Sequence, residues 1–244
     1  VSFIPKDARA SSFAPTNRRA IWLANQMPKS LGASLRPAVT TFAGGAAMPG
    51  QCGLGWGGSA CDAAHVTMGA VVSAAAAQKL SLALIFADIK SAFDTTMHQL
   101  ALPDESAEDS IVRGVSSMGF AIEEAREIAS DSLRLEEWGG APEHLPQTIA
   151  MTTRSAWAMV EGSNAVAVQG VGVAAGTPLA DVVFGVVASR IARRIHHRLR
   201  EADMLVSFPT SEVANILGVT PPAVYAHGYS VHDISYIDDS VFVQ

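Results

Sequence analysis

The chain has 244 residues, 49% of them hydrophobic and 16% charged, a composition that buries a sizeable core and excludes a disordered tail. Its 17 Lys and Arg against 23 Asp and Glu give a formal charge of −6. That balance argues against a protein that coats nucleic acid through bulk charge, while leaving room for a local basic groove.

The length suits one large domain or two small ones. In chain order, residues 1–4 read as a short apolar strand broken by Pro5. After a Ser/Ala/Pro/Asn loop and the pair Arg18-Arg19, apolar residues recur at helical spacing over 20–39, where Pro28 and Pro37 break the pattern. Residues 40–58 read as a glycine-rich loop, and 59–62 offer helix-capping chemistry ahead of the strongest helix, 63–77. The run 80–87 (LSLALIFA) is continuous and apolar, as in a strand covered on both faces, and it ends at Asp88. The most polar part is 102–146, within which 121–135 has amphipathic helical spacing. Residues 156–168 predict a hairpin turning at Gly162-Ser163-Asn164. A second glycine-bearing loop, 170–178, opens a helix over 179–201 whose last half carries five arginines from Arg190 to Arg200. These arginines are read as a solvated helix face or as contacts to a nucleic-acid backbone. Residues 234–243 form two apolar runs around Asp238-Asp239.

No stretch reads as membrane-spanning: the most apolar, 66–86, is interrupted by Gln78 and Lys79. The first residues carry no secretion signal, and two cysteines, Cys52 and Cys61, are too few for a disulfide framework and lack metal-ligand spacing. Both ends read as interior sequence, which predicts a slice of a longer protein.

Three constellations carry candidate chemistry. Gly53 to Gly58 is a literal G-x-G-x-x-G before a helix, yet a dinucleotide site also needs a strand leading into the first glycine and an acidic residue about 20 positions on. Pro49-Gly50 stands in that lead and excludes a central strand, so a surface loop is the simpler reading. Asp88 closes an apolar strand, where α/β proteins place sites but where aspartate also caps helices. Asp238 and Asp239 sit at the tip of an apolar hairpin as turn formers or as paired charges kept ionised by a divalent cation. Taken together, carboxylates on two strand ends suit a two-metal phosphoryl-transfer site.

The same residues carry a resemblance to the reverse transcriptases of non-LTR retrotransposons and, more loosely, of group II introns. Asp88-Ile89-Lys90-Ser91-Ala92-Phe93-Asp94 resembles D-x-x-x-A-F-D, and Tyr236-Ile237-Asp238-Asp239 resembles the Y-x-D-D hairpin. Between them, Gly172 through Leu179 and Phe184 resemble G-V-x-Q-G-x-P-L…F. Upstream, Ile4-Pro5-Lys6 is similar to I-P-K, Arg19 to Leu23 with Asn25 and Lys29 to R-P-I-S-L-x-N-x-x-G-K, and Gln51 to Ala63 to Q-x-G-F-R-x-G-R-S-x-x-D-A. The six motifs stand in the family's order and span almost the whole chain.

The resemblance implies an α/β (α+β) right-hand polymerase fold: a fingers region over 1–79 and a palm over 80–244, with an antiparallel sheet backed by helices, a helical insertion near 102–146 and no thumb. It implies RNA-directed DNA polymerase activity on an RNA template and DNA primer, with deoxynucleoside triphosphates and Mg²⁺ (Mn²⁺ as the alternative). Asp88 and Asp238 would be metal ligands, with Asp239 beside them, and Asp88 and Asp238 should lie within a few ångströms. Lys6 and Arg19 would meet the triphosphate, although in isolation they read as solvated charges. Phe93 would exclude a 2′-hydroxyl or be an ordinary core aromatic, and Gly176 and Pro178 would shape the loop beside the nascent base pair. Partners would include the thumb and other domains of a parent polyprotein, in the nucleus. Ala175 stands where the family has glutamine, and Gly55 and Gly58 replace two fingers arginines. These departures open the alternative of an inactive remnant that binds nucleic acid weakly or not at all.

Overall fold

The computed structural model describes residues 2–5, 18–21, 23, 25–44, 50–53, 61–89, 92–102, 107–133, 141–142, 144–154, 156–160, 162, 164–170, 172–208, 229–231, 233–236 and 239–243. In chain order the elements are β1 (Ser2–Pro5), β2 (Arg18–Ile21), α1 (Gln26–Gly44), β3 (Gln51–Cys52), α2 (Cys61–Ala77) and β4 (Leu84–Asp88). Two single-turn helices follow, α3 (Ala92–Thr95) and α4 (His98–Ala101), then α5 (Ala107–Ser117), α6 (Ile122–Leu133) and α7 (His144–Arg154). The last third holds β5 (Trp157–Met159), β6 (Val166–Val168), α8 (Ala180–Glu201), β7 (Val206–Phe208), β8 (Tyr229–Val231), β9 (Asp233–Tyr236) and β10 (Asp239–Val243). The architecture is α+β. Among the described residues no helix is long and apolar enough to cross a membrane.

The chain divides into two compact units, each made of two stretches: Val1–Gly45 with Ser91–Val187, and Ala46–Lys90 with Ala188–Gln244. In the first unit α5 and α6 pack face to face through Ala107, Ile111, Val115, Ala125 and Ala129. These residues recur every fourth position, one stripe per helix, and the two alanines on α6 let the axes approach. Glu108 and Asp109 open α5, and Glu123 and Glu124 open α6, where negative charge favours a helix start. The first half of α8 buries Val182, Val183, Phe184, Val186 and Val187 in near-continuous succession, the mark of a helix surrounded on all sides.

α1 runs straight through Pro37 to Gly44, which corrects both the break expected at Pro37 and the loop expected from residue 40. Pro28 lies in the first turn, where no backbone donor is needed. Pro37 costs the interior one hydrogen bond, and packing offsets that loss: Val39 and Ala43 beyond it are fully buried. The hairpin expected over 156–168 forms as β5 and β6, with Trp157 paired to Val168 and Met159 to Val166.

In the second unit one sheet has the order β3-β9-β10-β4, antiparallel except for the β3–β9 pair. α2 covers it: Val71, Ala74 and Ala75 surround Ile234 of β9, with Met68, Leu82 and Leu84 at the margin. The strand covered on both faces that was expected over 80–87 is corrected here. β4 is shorter, stands at the sheet edge, and leaves Ile85 and Phe86 exposed. Its unbroken apolar run gave no periodicity from which to tell a one-sided strand from a buried one.

Ile111 is fully buried at the centre of the α5–α6 contact. Ile111→Ala is expected to cost about 3 kcal/mol, read as a lower urea midpoint, whereas an unchanged midpoint would contradict this packing.

Candidate active site

β4 and β10 pair antiparallel in a register that sets Asp88 directly opposite Asp239, and Asp239 in turn faces Tyr236 on β9. Cys52, at the end of β3, is partnered with Tyr236. One row across the sheet end thus reads Cys52, Tyr236, Asp239, Asp88. Facing residues of an antiparallel ladder have Cα atoms about 5 Å apart, so two aspartates from distant parts of the chain share one position. Asp88 is exposed. Asp238, which the sequence places with them, lies outside the described residues, as does Lys6. Among the described residues no cluster of three or more His, Cys, Asp or Glu side chains suited to a metal is assembled. The aspartates at the two facing positions are nevertheless the hard oxygen donors that Mg²⁺ takes.

β3 is only two residues long, but it leads into Gly53, and α2 begins at Cys61. The strand that a dinucleotide site requires before Gly53 is therefore present in minimal form; residues 54–60 lie outside the described set. Asp88 does not complete such a site, because β4 lies at the opposite edge of the sheet from β3. In a dinucleotide fold the acidic residue closes the parallel strand next to the glycine turn. Gln51 ties β3 down, accepting at Oε1 a 2.8 Å hydrogen bond from the fully buried Ser189 hydroxyl.

Phe93, Gly176 and Pro178 belong to the first unit, as does Arg19, which sits on β2 opposite Ile4. Phe93 is half-buried on α3, its ring 5.2 Å from that of Phe184 on α8 and tilted by 39°. The segment from Gly172 to Leu179 is clamped at both ends. At its start, the Gly172 amide donates to the Thr96 carbonyl at 2.8 Å and the Val173 amide to the Phe93 carbonyl at 2.6 Å. Gly172 has φ +84, and a Cβ there would lie 2.8 Å from the Phe93 carbonyl oxygen, so only glycine fits. Buried His98 donates from Nε2 to the Gly172 carbonyl.

At its far end, Arg36 on α1 donates to the Pro178 carbonyl and makes a forked pair with Asp181 at 2.7 and 2.6 Å. The Asp181 carboxylate raises the pKa of Arg36 further, against the lowering by burial. Gly32 allows α1 to come this close, since a Cβ there would be 3.2 Å from Pro178 Cβ. Between the clamps, the Thr177 amide and hydroxyl both donate to the Ala174 carbonyl, at 3.0 and 2.8 Å, and Gly176 is exposed with φ +96.

Sequence reasoning singled out neither Arg36, Asp181 nor His98. Asp181 carried one signal, an acid in the first turn of a predicted helix. Arg36 and His98 carried none, because their partners lie 145 and 74 positions away. The chain matches no protein-family model, and no curated protein matches it in sequence.

Burial holds the His98 pKa below its ordinary 6.5; the bond to the Gly172 carbonyl opposes this, and the positive charge of Arg154 adds to it. The unfolded chain therefore takes up a proton at this site at higher pH than the folded one. Stability is expected to fall as pH drops below about 6.5, with the loss levelling off once the folded imidazole is itself protonated. Melting temperatures across pH 7.5 to about 5 should show this slope, and His98→Gln should flatten it; an identical slope in the variant would exclude His98 as its source. Gly172→Ala is expected to cost about 2 kcal/mol through positive φ and the clash with the 93–94 backbone, measured by thermal denaturation.

Proposed function

We propose that the chain is the fingers-and-palm portion of a retroelement RNA-directed DNA polymerase, adding deoxynucleotides to a primer 3′-hydroxyl on an RNA template. The observation that carries this reading is the register that opposes Asp88 and Asp239, the carboxylates of the two motifs that the family places in one site. Aspartates at directly opposed positions are unfavourable in a bare sheet, and a divalent cation supplies the missing charge. Mg²⁺ bound there would activate the primer hydroxyl and neutralise the triphosphate. Asp88, Asp238 and Asp239 are the residues that would hold it.

The chain's other residues position the substrates. Phe93 would bound the sugar and exclude a 2′-hydroxyl, and its contact with Phe184 supports a braced wall at that point. Arg19 and Lys6 would pair with the triphosphate as cations. Gly176 and Pro178 would border the nascent base pair, a role supported by the clamps on either side of that loop. By the same family resemblance the chain would work in the nucleus, alongside the thumb and remaining domains of a parent polyprotein.

A second reading, an inactive remnant, is favoured by Ala175, Gly55 and Gly58, where uncharged small residues replace the family's glutamine and arginines. Primer extension separates the two. With an RNA template, DNA primer, deoxynucleotides and Mg²⁺, the full chain is expected to extend the primer. Asp88→Ala and Asp238→Ala should each reduce the rate at least about a hundredfold. Extension indifferent to both substitutions would overturn the polymerase assignment, and no extension by the unaltered chain would favour the remnant.

A further inference from the structure

We infer that the outer face of the β5–β6 hairpin is a self-association surface, through which two copies of this chain pair about a two-fold axis. Side chains alternate across a strand, so a hairpin ordinarily turns its large apolar residues inward and its polar ones to water. Here that pattern is inverted. Trp157 stands opposite Val168 and Met159 opposite Val166, while Ala158 stands opposite Ala167 between them. Each of the four large residues is between 56% and 73% exposed, whereas the two alanines are half-buried. Directly opposed residues of an antiparallel pair point to the same face, so the tryptophan, the methionine and the two valines form one continuous patch.

A two-stranded hairpin is marginal in water by itself, and an inward face of two alanines gives it little to bury against its own unit. The bulk lies on the other side, where a second copy can cover it. The patch exposes about 500 Å², the size at which apolar surface marks an interaction site. Two such faces in contact would remove about 1,000 Å² from water, the least that a specific interface needs.

The composition of the hairpin selects the partner. Residues 156–170 contain no lysine, arginine or histidine. Anionic lipid surfaces and nucleic-acid backbones are held by cations, and a net charge of −6 opposes both. A second copy needs no such cation, because the outward side chains of the two strands are all uncharged. With the two-fold axis between the faces and across the strands, the turn of each hairpin lies over the open end of the other. Trp157 of each copy then meets Met159 and Val166 of the other, which sets an aromatic ring against a thioether. The surface rests on the hairpin alone and holds whether or not the chain polymerises.

Sedimentation velocity on the full chain, from about 1 to about 100 μM, tests this directly. The mass is expected to rise from one chain to two, with a dissociation constant of about 10 μM for an interface of this size. Trp157→Glu should raise that constant at least about thirtyfold, and Val168→Lys, at the position opposite, should also weaken the dimer. Both should leave the melting temperature of the dilute protein unchanged, since they replace outward side chains. The proposal is overturned if the chain stays monomeric at the highest concentration or if both variants dimerise like the unaltered chain. It is equally overturned if the mass grows beyond two chains, or if the chain stays monomeric but pellets with phosphatidylcholine vesicles, which would make the patch a lipid contact. A lower melting temperature in both variants would also overturn it, by making the face part of the single chain's own packing.

Discussion

The pairing of β4 with β10 is the constraint on which the second unit and its candidate site depend. Side chains alternate along a strand with a period of two, so a slip of one residue would carry Asp88 out of register with Asp239 and invert the faces of both strands. What prevents the slip is a hydrophobic anchor one strand away. Ile234 on β9 is buried among Val71, Ala74 and Ala75, while its neighbours Asp233 and Ser235 are polar. Rotating β9 by one residue would expose the isoleucine and bury an aspartate. β9 is thereby the fixed reference of the sheet, and the pairing of β10 to β9 and of β4 to β10 sets Asp239 and Asp88 opposite each other.

The first unit solves a different problem by different means. Residues 172–179 join the β5–β6 hairpin to α8 and have no strand or helix of their own to hold them. Their conformation is imposed by polar contacts at the two ends, His98 on the Gly172 carbonyl and Arg36 on the Pro178 carbonyl. His98 is kept in place by packing, being 3% exposed, and Arg36 by its fork to Asp181, whose planar geometry resists rotation. The consequence is a segment rigid at its ends and open at its centre, where Gly176 is exposed. A loop built in this way can meet a ligand without first having to be ordered, and that lowers the entropy cost of binding.

Local pattern was a good guide wherever the period of an element was plain in its sequence. Helix α6 followed from the spacing of 121–135, the β5–β6 hairpin from Gly162 and its flanking apolar residues, and β9 with β10 from two apolar runs around an acidic tip. It failed where long-range packing overrode a local signal. Pro37 is a strong breaker on its own, yet α1 continues through it because Val39 and Ala43 are needed in the core. The run 80–87 is uniformly apolar, and nothing in it distinguishes an edge strand from a central one. The two-residue strand β3 was hidden by Pro49 and Gly50, and it exists because Gln51 and Cys52 find Ser235 and Tyr236 alongside them. In the site, motif order made Asp88 and the acidic hairpin legible, and their register then followed from the sheet. The clamps were not legible, since each joins residues whose proximity only the fold creates.

The acidic balance of the chain takes its meaning from these two arrangements. A deficit of positive charge weakens long-range attraction to a phosphate backbone, and glycines stand at 55 and 58, where the motif that the sequence resembles has arginine. What the chain keeps is short-range and geometric: aspartates at opposed register positions and a loop pinned at both ends. If the chain is the polymerase proposed, positioning of this kind would act on substrates already bound, whereas diffuse positive charge would act on capture. On the proposed polymerase reading, the glycines at 55 and 58 would bear first on affinity for a template and on its salt dependence, and only secondarily on the register that opposes Asp88 to Asp239.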